Sequence, residues 1–529
     1  MKKLTLLAIN ARYSHTSLAA WTLAEAVKRH GIDVTVAETN INQNISDIID
    51  AAVYGAPDIV GVSVYIWNVA FLRDVVVGIR LRLPGVTIIA GGPEASSNAD
   101  YCLACGVDCV VQGEGEHALT ELLDNFMRGV PLAPIIRGRP VNEPVYPGEE
   151  YSRTLSKRLA YIETSRGCPF SCSFCMSGTE TLRFFPLEQA KEQLVCLAMS
   201  GAKTIKFVDR TFNADKARAY KLFEFVMDIR FEGNIFHFEV APDLFDERTI
   251  ALLNNAPSGR IQLEAGLQSF NPKTLAAVGR AADTAKACSN LQKLIEPGNI
   301  HVHVDLIVGL PFLTLPLLSE DFNIAYNLKP HNLQLGFLKM LHGSRIREEY
   351  GKVFEFSQTA PYQVISTPWL SRGDMETLKI VEDALSHTYN KKRFLSSIGY
   401  VISAAGVEPF GFYYALGKAV PHGGEPLCVY AEGLFNFLSA FQGVCVDLLI
   451  EHMILDWLKM VKGNDMPPFL KIEDKAAKRK LFEKAREMLG QQVRRNETAL
   501  LPGGLGAYAD ANKRNPVTGL YDVCVIELD

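Results

Sequence analysis

The sequence lacks the features that would mark a membrane protein or an extended nucleic-acid-binding surface. It contains no run of about 18 consecutive apolar residues, so no membrane-spanning helix is predicted. The apolar run that begins at Leu4 is too short for a signal peptide and better fits a buried first strand. The net charge is only −5 over 529 residues, which argues against an extended basic surface for nucleic acid.

The sequence also lacks a disulfide framework. Its 11 cysteines are an odd number in a long chain, whereas disulfide frameworks are typical of short secreted domains. Three of them, Cys168, Cys172 and Cys175, form the pattern C-x3-C-x2-C in one segment. An oxygen-sensitive metal centre on this segment would need a reducing compartment, so we expect a cytoplasmic protein.

The spacing of these three cysteines is the most informative feature of the chain. Thiolates this close in one loop can converge on one metal centre. Because iron–sulfur clusters are usually held by four thiolates, three would leave one iron free to bind another molecule. A zinc site and buried free thiols are the alternatives, but zinc usually takes four closed ligands and no second Cys or His pair lies in phase.

Apolar runs alternate with helical patterns over residues 1–140, which predicts a Rossmann-like (flavodoxin-like) parallel sheet. The predicted strands are 4–9, 34–38, 58–64, 87–90 and 109–111, and the predicted helices are 18–30, 45–54, 72–83 and 116–127. Ligands of such sheets bind at the carboxyl ends of the strands.

The loops at those strand ends contain glycines that would let a large ligand approach the backbone. From the pattern alone, the domain could bind a nucleotide or no ligand. The candidate ligand contacts are Asn10, Arg12, Tyr13, Ser14, His15, Ser63, Tyr65, Trp67, Asn68, Gly91, Gly92, Pro93, Gly113, Glu114, Gly115 and Glu116.

Three further cysteines, Cys102, Cys105 and Cys109, have the spacing C-x2-C-x3-C. They lie where a helix end passes into the predicted strand 109–111. Because cysteine is common as a small buried hydrophobe, we expect core packing rather than a second metal site.

Repeated strand–helix units over residues 155–355, after a linker at 141–154, predict a partial TIM barrel. The predicted strands are 160–164, 204–208, 236–240, 261–263, 301–308 and 333–337, with helices at 186–200, 214–230 and 271–278. Several strands end in polar residues, at the end of the barrel where chemistry occurs in this fold.

Residues 356–529 are predicted to be mostly helical, with helices at 375–389, 434–461 and 472–495 and a final strand at 521–528. The last helix mixes basic and acidic side chains, which favours a solvated face over a nucleic-acid site. The region has no recognised function and is a candidate substrate-binding domain.

Taken in chain order, the strand-end loops, the cysteine motif and the later strand ends make the chain resemble the cobalamin-binding radical S-adenosylmethionine (SAM) enzymes, in their class B methyltransferase-like subgroup. The resemblance implies a [4Fe-4S] cluster on Cys168, Cys172 and Cys175 with SAM on its open iron. It also implies methylcobalamin at the strand-end loops of the first domain. The pattern Asp-x-His-x-x-Gly, whose histidine ligates cobalt in many cobalamin domains, is absent. A cobalt without a histidine lower ligand is therefore implied, with His15 as a rival ligand.

The same resemblance implies a set of SAM contacts. Arg210 departs from the family pattern, because related proteins often have a second acid there. No residue is assigned as catalytic. The implied SAM contacts are Phe174, Asp209, Arg210, Glu239, Glu264, Gln268, Ser269 and Gly309.

The activity implied by the resemblance is reductive cleavage of SAM to a 5′-deoxyadenosyl radical and methylation of an unactivated carbon through methylcobalamin. One alternative is cobalamin-dependent radical chemistry without methyl transfer, such as ring contraction or anaerobic oxidative cyclisation. The other is a redox or sensory protein that binds both cofactors without catalysis. The implied partners are an unidentified small-molecule or peptide substrate and a one-electron donor such as flavodoxin or ferredoxin.

Overall fold

The computed structural model describes residues 2–28, 31–420, 424–461, 466–489 and 493–528. Two six-stranded parallel sheets are followed by a largely helical C-terminal region with a small antiparallel sheet, which confirms the predicted α/β class. No helix within these ranges is long and apolar enough to cross a membrane.

The first sheet has the strand order β2-β1-β3-β4-β5-β6, with all neighbours parallel. Its strands are β1 (Lys3–Asn10), β2 (Asp33–Asn40), β3 (Ile59–Ser63), β4 (Thr87–Gly91), β5 (Cys109–Gln112) and β6 (Ile135–Arg137). Its helices are α1 (Leu18–Val27), α2 (Ile45–Val53), α3 (Leu72–Arg82), α4 (Pro93–Ser97), α5 (Ala99–Ala104) and α6 (Gly115–Met127). The predicted helix 18–30 extends onto residues 29–30, which lie outside the described residues. The sequence did not predict β6, because its two apolar residues, Ile135 and Ile136, are too few to form a recognisable strand pattern.

Apolar side chains cover both faces of this sheet in two separate clusters. Cys102 and Cys105 are buried in the cluster that contains Leu7 of β1, and Cys109 is buried in the cluster that contains Leu6. Successive side chains of a strand point to opposite faces, so the sheet separates Cys109 from the other two thiols. Burial raises the pKa of Cys102 to about 12 and that of Cys109 to about 11. The prediction of core packing is therefore confirmed.

The second sheet has its strands in chain order, β7-β10-β11-β12-β13-β14, all parallel, as in a barrel left open on one side. Its strands are β7 (Leu159–Ile162), β10 (Thr204–Phe207), β11 (Ile235–Val240), β12 (Ile261–Gln268), β13 (His301–Val308) and β14 (Asn332–Phe337). A separate antiparallel hairpin, β8 (Ser165–Arg166) and β9 (Arg183–Phe184), follows β7. The helices are α7 (Glu149–Arg153), α8 (Leu187–Met199), α9 (Lys216–Val226), α10 (Glu247–Asn254), α11 (Pro272–Ala277), α12 (Thr284–Ile295), α13 (Leu315–Asn327) and α14 (Arg345–Tyr350).

The barrel departs from the prediction in several elements. The strand β12 is longer than the predicted 261–263, so Glu264 lies inside the strand rather than after it. The helices α10, α12, α13 and α14 and the hairpin β8–β9 were not predicted, and α7 lies within the predicted linker.

Side chains alternate along the barrel strands between an apolar and a polar face. On β12 and β13, fully buried residues such as Leu263 and Val304 belong to the main apolar core, and the intervening residues are half-buried. Because of this alternation, Glu264 and His303 share the opposite, inner face of the sheet. A TIM barrel interior is usually filled by branched apolar side chains, so the polar interior of this barrel is unusual.

The described part of the C-terminal region is mostly helical between residues 372 and 489 and ends in a three-stranded antiparallel sheet. Its helices are α15 (Arg372–Leu385), α16 (Leu395–Ala405), α17 (Pro409–Ala419), α18 (Leu427–Ser439), α19 (Val446–Met460) and α20 (Lys475–Leu489). A two-stranded sheet of β15 (Glu355–Phe356) and β16 (Val364–Ser366) precedes the helices. The final three-stranded sheet consists of β17 (Thr498–Leu500), β18 (Leu505–Arg514) and β19 (Tyr521–Glu527).

The prediction of one helix over 434–461 is wrong. The segment forms parts of α18 and α19, separated by a turn in which Gly443 has a φ of +86°. The predicted helix 472–495 corresponds to α20, and its residues 490–492 lie outside the described residues. Only β19 of the final sheet was predicted.

Candidate active site between the two sheets

One cavity of about 690 Å³ lies between the strand-end loops of the first sheet and the second sheet. Asn10, Ser63 and Gly91 line it from the first sheet, and Arg210 and Glu239 line it from the second. Ligand cavities typically measure roughly 300–1,000 Å³. The two sheets therefore share one space of cofactor size.

Most of the predicted contacts of the first domain line this cavity. The exceptions are Arg12, Tyr13, Ser14 and Asn68, and the Tyr13 side chain points to solvent with 75% of its surface exposed. Those that line the cavity are Asn10, His15, Ser63, Tyr65, Trp67, Gly91, Gly92, Pro93, Gly113, Glu114, Gly115 and Glu116.

Asn68 is buried beneath the loop that follows β3. Its side-chain amide donates to the carbonyl oxygens of Ile9 and Ser63, at 3.0 and 2.9 Å, and its Oδ1 accepts from the Tyr65 N–H at 2.8 Å. Asn68 therefore joins the carboxyl ends of β1 and β3 and shapes the cavity wall without reaching the cavity.

Tyr65 and Trp67 form an aromatic wall of the cavity. Their rings stack with centroids 4.3 Å apart and an interplanar angle of 9°. The Trp67 indole N–H donates to the Ile9 carbonyl at 3.0 Å, which fixes the pair against β1. A flat apolar wall of this kind excludes water from one side of the cavity.

His15 lines the cavity from the loop after β1. Its Nδ1 lies 2.8 Å from the Tyr161 hydroxyl, which belongs to the second sheet. Burial and the positive charges of Arg12, Lys206 and Arg158 lower the pKa of His15, so the imidazole is neutral near pH 7. Its ring is therefore oriented by a partner from the other sheet.

The three cysteines lie in the loop that follows β8. Gly167 begins this loop with a φ of +82°, and a Cβ atom there would lie 2.4 Å from the Thr181 carbonyl oxygen. The Ser173 N–H donates to the Val278 carbonyl at 2.8 Å, which ties the loop to the barrel. Gly167 and Met176, next to the first and last cysteines, line the cavity. The loop therefore borders the cavity at its two ends, although none of the three cysteines is among the lining residues.

All three cysteines of this loop are free thiols. The Cys168 Sγ lies 3.3 Å from the Thr211 Oγ1, and the Cys172 Sγ lies 3.8 Å from a guanidinium nitrogen of Arg280. Burial raises the pKa of Cys172, although the charge of Arg280 opposes this. Within the described ranges, no three His, Cys, Asp or Glu side chains are arranged around a point that would hold a single metal ion. Free thiols on one loop beside a cavity are the donor set that iron–sulfur clusters use.

Among the predicted SAM contacts, Arg210 and Glu239 line the cavity, whereas Asp209 does not. The Asp209 carboxylate is buried and accepts hydrogen bonds from the Thr164 N–H at 2.9 Å and from the Thr164 and Ser165 hydroxyls at 2.8 and 2.5 Å. Asp209 therefore anchors the segment that leads into the cysteine loop.

The remaining predicted SAM contacts also lie away from the cavity wall. Ser269 is buried and donates to Asp321 at 2.5 Å, and Phe174 packs against the main apolar core. Gln268 and Gly309 adopt left-handed backbone conformations, with φ of +69° and +94°.

Glu264 belongs to a charged network inside the barrel that the sequence did not reveal. The Lys206 Nζ lies 3.3 Å from Glu239 and 3.2 Å from Glu264, and the His237 Nε2 lies 2.8 Å from Glu264. Lys206 and His237 occupy inward positions on β10 and β11. Both alternate with buried apolar residues, and this alternation could have indicated from the sequence that they face the barrel interior. The network orients Glu239 at the edge of the cavity.

The Glu264→Gln variant is expected to be less stable than the wild type near neutral pH, and this difference in the free energy of unfolding should disappear as the pH falls. Burial alone would raise the pKa of Glu264, but the His237 hydrogen bond and the charges of Lys206 and His237 lower it to about 2. The carboxylate therefore stabilises the fold fully above a pH of about 4.5, and this contribution is lost as the pH falls towards 2, up to about 3 kcal/mol. Urea unfolding of the apoprotein between pH 2 and 6 measures the difference from the wild type.

The matched control is Glu188→Gln, which removes an exposed carboxylate of α8. Its unfolding curve should follow the wild type over this pH range. A constant difference between the wild type and Glu264→Gln at every pH would contradict the lowered pKa.

The region after the barrel contacts the first domain beside this cavity. The Tyr362 hydroxyl donates to the buried Glu94 carboxylate of α4 at 2.6 Å. Among the described residues that line the cavity, none comes from 356–529. Its role as a substrate-binding domain stays a prediction.

Three family models match successive parts of the chain. Residues 4–123 match the B12 binding domain, and residues 162–317 match the radical SAM superfamily. Residues 348–500 match a protein family of unknown function, DUF4080.

Two curated relatives are methyltransferases. The 2-(S-pantetheinyl)-carbapenam-3-carboxylate methyltransferase of Streptantibioticus cattleyicolor is 26% identical over 297 residues, which are 48% of this chain and 43% of the relative. The cobalamin-dependent radical SAM methyltransferase TokK of Streptomyces tokunonensis is 25% identical over 296 residues, 49% of this chain and 43% of the relative. The chain thus spans less than half the length of these relatives.

A solved structure shares the fold over most of the chain. It is the cobalamin-dependent SAM radical enzyme OxsB with aqua-cobalamin bound, with a TM-score of 0.59 at 13% sequence identity. The match covers 86% of this chain and 80% of OxsB. The arrangement of the two parallel sheets is therefore found in a solved protein.

Proposed function

We propose that this chain is a cobalamin-binding radical SAM enzyme that methylates an unactivated carbon atom of its substrate. The observation that carries the proposal is the cavity shared by the two sheets. The strand-end loops of the first sheet face Glu163, Arg210 and Glu239 of the second sheet across it. A substrate held in this space would lie between the two cofactor sites, so a group could pass directly from one side to the substrate.

The cysteine loop and the strand-end loops would hold the cofactors. Cys168, Cys172 and Cys175 would bind the [4Fe-4S] cluster, and the loops that contain Asn10 and Gly92 would bind cobalamin. When bound, these cofactors supply a 5′-deoxyadenosyl radical from SAM and a methyl group for transfer. The protein supplies position and shielding.

The residues of the cavity wall would bind SAM and exclude water. The Glu239 carboxylate, held by Lys206, would accept hydrogen bonds from an ammonium or hydroxyl group of SAM. Arg210 would pair with the SAM carboxylate, since a guanidinium binds carboxylates in a bidentate manner. The stacked Tyr65 and Trp67 would keep water from a reactive intermediate.

The proposed reaction balances with one SAM for the radical and a second SAM for the methyl group. The first SAM leaves as methionine and 5′-deoxyadenosine, which carries the hydrogen atom removed from the substrate. The second SAM leaves as S-adenosylhomocysteine. Two electrons enter, for which we propose flavodoxin or ferredoxin as the donor. 5′-Deoxyadenosine and S-adenosylhomocysteine should therefore form in equal amounts during productive turnover.

An isotope experiment tests the proposal even though the substrate is unidentified. The reconstituted protein is incubated anaerobically with a reductant, SAM labelled as a trideuterated methyl donor, and a metabolite extract from cells that lack this protein. We expect 5′-deoxyadenosine and a new product that contains one trideuterated methyl group. Mass spectrometry with and without protein measures both.

Other outcomes would contradict the proposed methylation. A product that has lost hydrogen or gained oxygen without the label would favour ring contraction or oxidative cyclisation. Absence of 5′-deoxyadenosine, with both cofactors bound, would favour a redox or sensory protein. A variant at the exposed Cys196, Cys196→Ala, serves as the active control.

A further inference from the structure

Five charged side chains form a cluster between the two sheets, which we call the interdomain cluster. It consists of Glu114 from the loop after β5, Glu116 from the first turn of α6, and Glu163, Arg166 and Arg183 from the second domain. Glu114, Glu116, Glu163 and Arg166 also line the cavity. The two carboxylates that the sequence suggested as cobalamin contacts therefore have protein partners from the other domain.

Arg166 is the centre of this cluster. Its Nη1 donates to Glu114 at 2.7 Å, its Nη2 to Glu116 at 2.5 Å, and its Nε to Glu163 at 2.9 Å. A planar guanidinium can engage three carboxylates in this way because its donors point outward in a rigid fork. A lysine ammonium keeps the charge but has no such fork.

Arg183 occupies a neighbouring but less connected position. It faces Arg166 across the β8–β9 hairpin, binds Glu114 and donates to the Val141 carbonyl at 2.7 Å. In the described structure its ion pair is with Glu114 and does not extend to Glu116. Arg183 therefore shares the charge and environment of Arg166 but makes fewer links.

The cluster is largely shielded from water. The side chains of Arg166 and Glu116 are 16% and 7% exposed, respectively. An ion pair in such surroundings is weakly screened, and loss of one partner leaves an uncompensated buried charge. The loop after β5 and the start of the cysteine loop are therefore held together strongly.

Arg166 lies directly before the cysteine loop, so its contacts with the first domain bear on the position of that loop. Arg166 ends β8, and only Gly167 separates it from Cys168. Glu114 and Glu116 flank Gly115, where α6 begins, so they lie where the loop after β5 enters α6 at the cavity wall. A shift of either loop is transmitted to the other through the guanidinium.

We infer that Arg166 is a positioning residue that couples cobalamin binding in the cavity to SAM binding at the cysteine loop. Cobalamin would fix the loop after β5, and Arg166 would then hold the start of the cysteine loop in its SAM-binding position. By linkage, each cofactor must raise the affinity for the other by the same factor. The inference rests on the binding of both cofactors and does not require that a methyl group is transferred.

Equilibrium dialysis with radiolabelled SAM tests the coupling. The protein carries its oxidised cluster and is measured with and without hydroxocobalamin, so that no turnover occurs. We expect cobalamin to lower the SAM dissociation constant of the wild type by at least about five-fold. In Arg166→Lys the ratio of the two constants should fall to about one, with both cofactors still bound. A purely structural role would weaken binding without changing this ratio.

Arg183→Lys is the matched control, and its ratio should remain at the wild-type value. Three outcomes would overturn the assignment to Arg166. These are a ratio of one in the wild type, an unchanged ratio in Arg166→Lys, or an equal fall of the ratio in Arg166→Lys and Arg183→Lys. If Arg166→Lys does not fold, Glu116→Gln removes one of the same contacts without a change of shape, and it should lower the ratio. An unchanged ratio in Glu116→Gln would then count against the inference. Because no substrate is present, failure here is separate from failure of the proposed methylation.

Discussion

Replacement of Cys172 by alanine is expected to reduce SAM cleavage to the level of a control without protein, while cobalamin remains bound. Cys172 is 5% exposed and belongs to the loop whose three thiols form the proposed cluster site. Without its thiolate, a second iron of the cluster would lack a protein ligand beside the open iron, so the cluster would not be held in a form that passes an electron to SAM. The loops proposed to bind cobalamin lie on the other sheet and contain none of the three cysteines, so they should keep their shape.

The measurement combines two readings on anaerobically reconstituted protein. Chromatography quantifies 5′-deoxyadenosine after addition of reductant and SAM, and absorbance quantifies bound cobalamin. The exposed Cys196 provides the control variant Cys196→Ala, which should cleave SAM as the wild type does. Continued cleavage by Cys172→Ala would show that the cluster assignment is wrong.

The Gly92→Ala variant is expected to lose most of its bound cobalamin. Gly92 has a φ of +105°, and a Cβ atom there would lie 2.7 Å from the Val64 carbonyl oxygen. That carbonyl already accepts the Glu94 N–H, so it cannot move away without breaking the start of α4. With a ψ of 173°, the Gly92 backbone lies in a region that is essentially restricted to glycine, so an alanine there costs roughly 1–3 kcal/mol, and the contact adds to this. Since Gly92 lines the cavity, its displacement changes the cavity wall.

Cobalamin retained per protein after gel filtration measures this effect. The control is Gly85→Ala, which lies just before the amino end of the same strand, β4. A Cβ atom at Gly85 has no neighbour within 4 Å, so this variant should retain cobalamin. Normal cobalamin content in Gly92→Ala would contradict a cobalamin site at this loop.

The sequence was sufficient for features that depend on local pattern. Alternating apolar runs predicted both parallel sheets, because a buried strand and an amphipathic helix each have a characteristic period. The prediction failed where the pattern was weak or continuous. The three-residue strand β6 gave no apolar run, and the apolar residues of α18 and α19 concealed the turn at Gly443.

The candidate site was predictable only in part for a related reason. Strand ends in parallel sheets meet at one edge, so the loops that contain Asn10, Ser63 and Gly91 could be grouped from the sequence. The sequence could not show which polar residues at those ends face the cavity. Asp209 and Asn68 follow strand ends, yet both are buried and bonded to neighbouring backbone.

The sequence by itself determined the donor set and the order of the two domains. The spacing of Cys168, Cys172 and Cys175 is fixed by the chain, and so are the glycine-containing loops that precede it. Only the tertiary structure decided which charges meet. Glu116 and Arg166 are separated by 50 residues, and no local pattern indicates that the carboxylate lies 2.5 Å from the guanidinium. Pairing across two sheets depends on how the domains pack, and burial then forces each charge to find a partner there.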